Sequence, residues 1–96
     1  MDAYARLPSG PAIFEVKSNT KDNERSQIRH AISQLYEYRY LHDLGDATLW
    51  IVLSNPPFVT WMTDYLRGDR SIHVLWAEEN ELAGPDLTLL TQSRLT

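Results

Sequence analysis

Two short alternating segments open the chain. Across residues 2–7, Asp2, Tyr4 and Arg6 fall on one face and Ala3, Ala5 and Leu7 on the other, the two-residue period of a half-buried strand. Pro8-Ser9-Gly10-Pro11 is a turn signal. Ala12 to Lys17 then alternates again, with Ala12, Phe14 and Val16 set against Ile13, Glu15 and Lys17. Together the segments predict a β-hairpin. Directly opposed residues of a hairpin point to the same side of the sheet. Matching Ala3, Ala5 and Leu7 to Phe14 and Val16 therefore puts Asp2 on the face of Glu15 and Lys17. A slip of one residue would separate them.

Residues 24–42 carry the longest helical pattern. Ile28, Ala31, Ile32, Leu35 and Leu41 form its apolar stripe. Gln27, His30 or Ala31, Gln34 and Tyr38 line an adjacent one. Asp22 or Asn23 is placed to cap the start, and Gly45 to stop it. Leu49 to Leu53 is continuously apolar, as in a strand covered on both faces. A second helix is expected after Ser54 or Asn55, with Pro56 or Pro57 in its first turn. Phe58, Trp61, Met62, Tyr65 and Leu66 would be its buried side and Gly68 its end. Ser71 to Trp76 predicts another strand. Residues 77–96 are weakly patterned: Gly84-Pro85 breaks any helix, and Leu87 to Leu90 is left as a strand or a free segment. The order β-β-α-β-α-β predicts an α/β fold, a small mixed sheet flanked by helices with a right-handed crossover. The boundaries are 1–82 for the domain and 83–96 for a C-terminal tail or extra strand.

Ninety-six residues make one small domain with a thin core. A homo-oligomer and a larger parent protein are both open as its setting. There is no cysteine, hence no disulfide and no thiolate metal site. No run is apolar for long enough to span a bilayer, and no signal-peptide pattern is present. A cytoplasmic protein with no membrane partner is expected. The net charge of −4 counts against a purely electrostatic nucleic-acid binder. The charge is uneven, however. Lys17, Lys21, Arg25, Arg29 and Arg39 cluster early, while Glu78, Glu79, Glu81 and Asp86 lie late.

Glu15 and Lys17 are two residues apart on one predicted strand face, with Cα atoms roughly 7 Å apart. That spacing suits a carboxylate holding a metal ion while the ammonium meets an anion on it. Taken alone, Glu-x-Lys is weak: roughly one chain of this length in three contains it by chance. Arg25 and Arg29 suit phosphate contact by charge and position; solvated helix charges are the bland alternative. His30, His42 and His73 have no metal-ligand spacing and are unassigned. Trp50, Trp61 and Trp76 lie on apolar faces and read as core.

Asp2, Glu15-Val16-Lys17 and Gln34-x-x-x-Tyr38 together resemble the PD-(D/E)XK nuclease superfamily, specifically its RecB-like branch. Phe14 to Ser18 and Gln27 to Tyr40 carry the likeness in their wording. It covers roughly residues 2–76 and is most specific over 13–40. The resemblance implies a restriction-endonuclease-like core and a Mg²⁺- or Mn²⁺-dependent deoxyribonuclease, hydrolysing phosphodiester bonds of DNA by metal-activated water. By resemblance, Asp2 and Glu15 are metal ligands and the Val16 carbonyl a third. Lys17 orients the attacking water or stabilises developing charge. Gln34 and Tyr38 stand over the site, bracing Lys17 or touching the nucleic-acid backbone. Two departures matter. The N-terminal helix that opens the family core, often with another acid, is absent before Asp2, and Met1 stands where the family has proline. A fragment, or a minimal version covered by a partner, is the expected explanation. The alternative function is a catalytically inactive nuclease-like domain serving as a nucleic-acid-binding or scaffold module.

Overall fold

The opening hairpin sets the register of everything after it. Strands β1 (Asp2–Leu7) and β2 (Gly10–Lys17) pair antiparallel, with Asp2 opposite Glu15, Ala3 opposite Phe14 and Leu7 opposite Gly10. This is the register that matching the apolar faces requires. The computed structural model describes residues 2–90, and at residue 2 the backbone alone. Helix α1 (Glu24–Leu41) leads from β2 to β3 (Thr48–Leu53). A short segment, α2 (Met62–Asp64), widens into π-helix over Tyr65–Asp69 and leads to β4 (Ile72–Glu78). The last strand is β5 (Glu81–Ala83). The strands β2, β3 and β4 run parallel, and β5 returns antiparallel, in the order β1-β2-β3-β4-β5. The chain is thus α/β, with a mixed five-stranded sheet.

Both crossovers step across the sheet in the same direction. With one handedness they must lie on the same face, and they do. Ile28, Ala31 and Leu35 of α1 join Met62 and Leu66 of the second crossover over Ile13, Leu49, Ile51, Leu53, Ile72 and Val74. The opposite face centres on Ala12, Trp50 and Leu75, with Leu7, Phe14, Val52 and Leu89 and Leu90 packed around them. The last two belong to a 3₁₀ turn, Leu87–Leu90. Cover on both faces explains why β3 is apolar at every position from Leu49 to Leu53.

Three expectations need correction. First, α1 does not stop at Gly45. Asp43 takes the left-handed conformation (φ 54°), while the Leu44 N–H reaches the Arg39 carbonyl at 2.9 Å and the Asp43 N–H that of Tyr40 at 3.2 Å. That bond pair is a Schellman closure, with aspartate in the position glycine usually fills. At the other end, Asn23 occupies the cap position without capping. Its Oδ1 accepts from the Thr20 N–H at 2.7 Å instead.

Second, the helix expected from the Pro56-Pro57 pair is only a stub. The N–H groups of Phe58 and Val59 donate to the Glu24 carboxylate, each at 2.9 Å. This holds the segment open until Met62. Only Met62 and Leu66 are buried there; Phe58, Trp61 and Tyr65 are exposed.

Third, the weakly patterned stretch after Trp76 is built: β4 runs on to Glu78, β5 follows, and Leu87–Leu90 forms a 3₁₀ turn where a strand or a free segment was expected. Glu79 and Asn80 both have positive φ (51° and 68°), the mirror-image turn that suits a two-residue hairpin. They join β4 to β5. Gly84 follows at φ 125°, where a Cβ would lie 2.9 Å from the Val74 carbonyl oxygen. Only glycine permits so close an approach.

Candidate active site

Ile13, Glu15 and Lys17 alternate onto the face that carries α1. Ile13 is core; Glu15 is wholly buried at the next position out. Lys17 ends the strand, and its Nζ lies 3.5 Å from Glu15 Oε1, with 12% of its side chain exposed. The Asp2 backbone stands directly across from Glu15; the ligand role expected of its side chain lies outside the described residues. Val16 points to the other face and is exposed. Among the described side chains, no three of His, Asp or Glu come together as a metal-holding group. The donor chemistry for a cation here is the Glu15 carboxylate with an acidic position facing it across the hairpin. Carboxylate oxygens of this kind fit Mg²⁺ or Mn²⁺.

Burying such a pair is costly. Desolvation takes back much of what the attraction returns, so a buried ion pair is a poor device for stability alone.

A second polar group lies beside it, where β2 and β3 end. The Asn19 amide donates to Glu24 Oε1 at 2.9 Å and to the Asn55 carbonyl at 3.0 Å. Its Oδ1 accepts from the Asn55 N–H at 2.9 Å and the Ser54 hydroxyl at 3.2 Å. Asn55 Nδ2 returns a bond to the Asn19 carbonyl at 2.9 Å. The Ser54 N–H donates to the Lys17 carbonyl at 3.2 Å. Asn19 and Glu24 are fully buried. These groups clamp the loop after β2 to the loop after β3, and so fix the backbone on which Lys17 stands. Ser54 and Asn55, one or the other expected as a helix cap, serve this clamp instead, and Asn19 and Glu24 carry no role in the sequence pattern. The available signal was a polar residue just past the end of each of two neighbouring apolar strands.

The two flanks of α1 differ. At 3.6 residues per turn, Gln27, Gln34 and Tyr38 share one flank, and Arg25 and Arg29 the other. Gln27 Nε2 donates to the Ser18 carbonyl at 2.9 Å. Gln34 is half-buried, and its Oε1 has no hydrogen-bond partner among the described residues. Tyr38 packs on the core and stacks on His42, ring centroids 4.3 Å apart. Gln34 and Tyr38 lie ten and fourteen residues beyond Glu24, roughly 15 and 21 Å along a helix running back over the sheet. They are thus set back from Lys17, and no hydrogen bond joins them to it among the described residues. Arg25 and Arg29 face α2, where Arg25 lies over Trp61 with its Cζ 5.7 Å from the ring centroid.

A third polar cluster sits away from this end. Buried Asp86 accepts from Arg67 Nε and Nη2 at 3.1 and 3.3 Å and from the Val74 N–H at 3.0 Å. His73 Nδ1 lies 3.2 Å from it. It ties the segment after β5 to β4 and was not foreseen. No helix among the described residues is long and apolar enough to cross a membrane. No protein-family model, curated protein or solved structure matches the chain.

Proposed function

We propose that the chain is a metal-dependent deoxyribonuclease domain of the PD-(D/E)XK, restriction-endonuclease-like type. One observation carries the reading. Asp2 stands opposite Glu15, and Lys17 follows on the same face with its ammonium 3.5 Å from the Glu15 carboxylate. Glu15 and the acid at position 2, with the Val16 carbonyl, would hold Mg²⁺ or Mn²⁺. When bound, such an ion neutralises phosphate charge and makes a water more acidic. Lys17 is suited to stabilise the negative charge that develops on the phosphate. Arg25 and Arg29 would contact nucleic-acid phosphates; Gln34 and Tyr38, set back along α1, would meet the backbone only at a distance from the Glu15–Lys17 pair. The position of Glu15 and Lys17 near the carboxyl end of a parallel strand supports this, because open α/β sheets present their ligands there. The test is incubation of plasmid and labelled DNA with the purified chain. Cleavage is expected with Mg²⁺ or Mn²⁺, none in chelator, and none in Glu15→Ala or Lys17→Ala. Cleavage that persists in both variants removes the mechanism.

Burial favours a second reading. Glu15 is sealed from solvent and Lys17 nearly so, which leaves a phosphate little access to the pair, as in a domain that binds nucleic acid or a scaffold without cutting. Salt-sensitive DNA binding with no cleavage in any divalent ion would select it.

A further inference from the structure

We infer that the cleft between α1 and α2 is a binding site for one unpaired nucleotide of a single strand, with its base on Trp61 and its phosphate on Arg25 and Arg29. The inference deepens the nuclease reading by naming a substrate class, and takes its biological role from that reading.

The cleft opens at the carboxyl ends of the parallel strands, the end where Lys17 lies. Arg25 is the second residue of α1, and Trp61 immediately precedes α2. Ile28 and Met62 form a buried floor, and Arg25, Arg29, Trp61 and Tyr65 complete the lining around about 260 Å³. Clefts for drug-sized ligands span roughly 300–1,000 Å³, so this one suits a single ring system.

Its charge stands apart from the rest of the molecule. The chain carries a net −4, yet none of these lining residues is acidic. Arg67 and Arg70 are paired with Asp86 and Asp69. Neither Arg25 nor Arg29 pairs with a carboxylate among the described residues.

The aromatic component is equally specific. Trp61 is 48% exposed, where the pattern of the sequence put it in the core. It is nevertheless oriented, by Tyr65 edge-on at 5.8 Å and 82° and by Arg25 over one face of its ring, a guanidinium that an arriving base would displace onto the phosphate or stack opposite to. An exposed, oriented indole beside two guanidinium groups matches how single strands are held, by bases on aromatic faces and phosphates on cations. A base inside a duplex is already stacked on both faces and cannot lie on Trp61. The cleft therefore selects a single strand or a splayed end.

The test is fluorescence polarisation of a labelled oligothymidine of roughly 12 nucleotides, in chelator, against the same strand annealed to its complement. The single strand is expected to bind more tightly. Trp61→Ala is expected to weaken it about tenfold or more, while Trp61→Phe retains most of the affinity. Arg29→Gln, at an exposed position, is expected to weaken binding and flatten its salt dependence. Far-UV circular dichroism of each variant shows whether the fold is kept. Equal affinity for duplex, indifference to Trp61→Ala in a folded variant, or binding only to a peptide partner overturns the inference. Because no metal is present, the two readings fail separately. Metal-dependent cleavage without the Trp61 effect sinks the cleft alone; the Trp61 effect without cleavage sinks the nuclease alone.

Discussion

Glu15 and Glu24 are both fully buried carboxylates near the carboxyl end of β2, and the molecule treats them differently. Glu24 is met by neutral donors: the Asn19 amide and the N–H groups of Phe58 and Val59, each at 2.9 Å. Two of these are backbone, and all belong to loops that the carboxylate draws together. Glu15 faces a charge, the Lys17 ammonium, at 3.5 Å. Backbone donors fix a position and cannot be exchanged. An ammonium on a four-carbon stem can move aside for a metal ion or follow an anion. The first arrangement builds the scaffold and the second is suited to chemistry.

The sharpest break in this comparison is Glu15→Gln. Cleavage is expected to fall about a thousandfold, roughly 4 kcal/mol of transition-state stabilisation. The loss in folding stability should be only about 1–2 kcal/mol, because Lys17 can swing its ammonium to water. A urea melt beside a cleavage assay reads both. Equal and large losses in the two would place Glu15 with the scaffold.

Glu24→Ala should do the reverse. It leaves the Asn19 amide and two backbone N–H groups buried without partners, and each such group costs about 1–3 kcal/mol. A loss of about 3 kcal/mol or more is expected in urea melts, a large share of what a domain of this size has. The loss should be the same with and without magnesium. A variant of near-native stability would mean that water replaces the carboxylate and that the loops hold without it.

These two acids also mark how far the sequence could be read. The hairpin register needed only alternation and a match of apolar faces, so the Asp2–Glu15 pairing was legible; which face is the main core was not, since α1 covers Ile13 and Glu15 while Ala3 and Val16 are exposed. The extent of α1 was legible too, from its stripe of Ile28, Ala31 and Leu35. Its stop was not: Asp43 fills the left-handed position that glycine usually takes, and Leu44 after it packs on the core. Phe58, Trp61 and Tyr65 were misplaced for a nonlocal reason. Glu24 captures two N–H groups 34 and 35 residues away, and no periodicity within residues 56–68 records that. Asp86, bonded to Val74 twelve residues earlier, was hidden in the same way.

Asn55→Ala sharpens the comparison at smaller scale. It removes the Nδ2 bonds to the Asn19 carbonyl and the Ser54 hydroxyl but leaves Glu24 and its backbone donors in place. The Asn55 N–H and carbonyl keep their own bonds to the Asn19 side chain. A loss of about 1–2 kcal/mol is expected, since the position is partly solvated and water can satisfy the freed carbonyl. Cleavage should drop only as far as the Lys17 backbone shifts. If this variant abolished cleavage while keeping its stability, the clamp would be part of the chemistry, and the division between the two carboxylates would fail.

The smallest expected effect discriminates best. A ligand that binds only the folded state raises its stability by RT ln(1 + [L]/Kd), about 1.4 kcal/mol at ten times Kd. Magnesium or manganese should therefore raise the melting temperature by several degrees, about 4–8 °C per kcal/mol for a domain of this size. Asn55→Ala should keep that increment and Glu15→Gln should lose most of it, because of these two side chains only that of Glu15 is proposed as a ligand. Sodium at matched ionic strength controls for screening, which would act on every surface charge alike. An increment that survives in Glu15→Gln would put the cation elsewhere and leave the Glu15–Lys17 pair as scaffold after all.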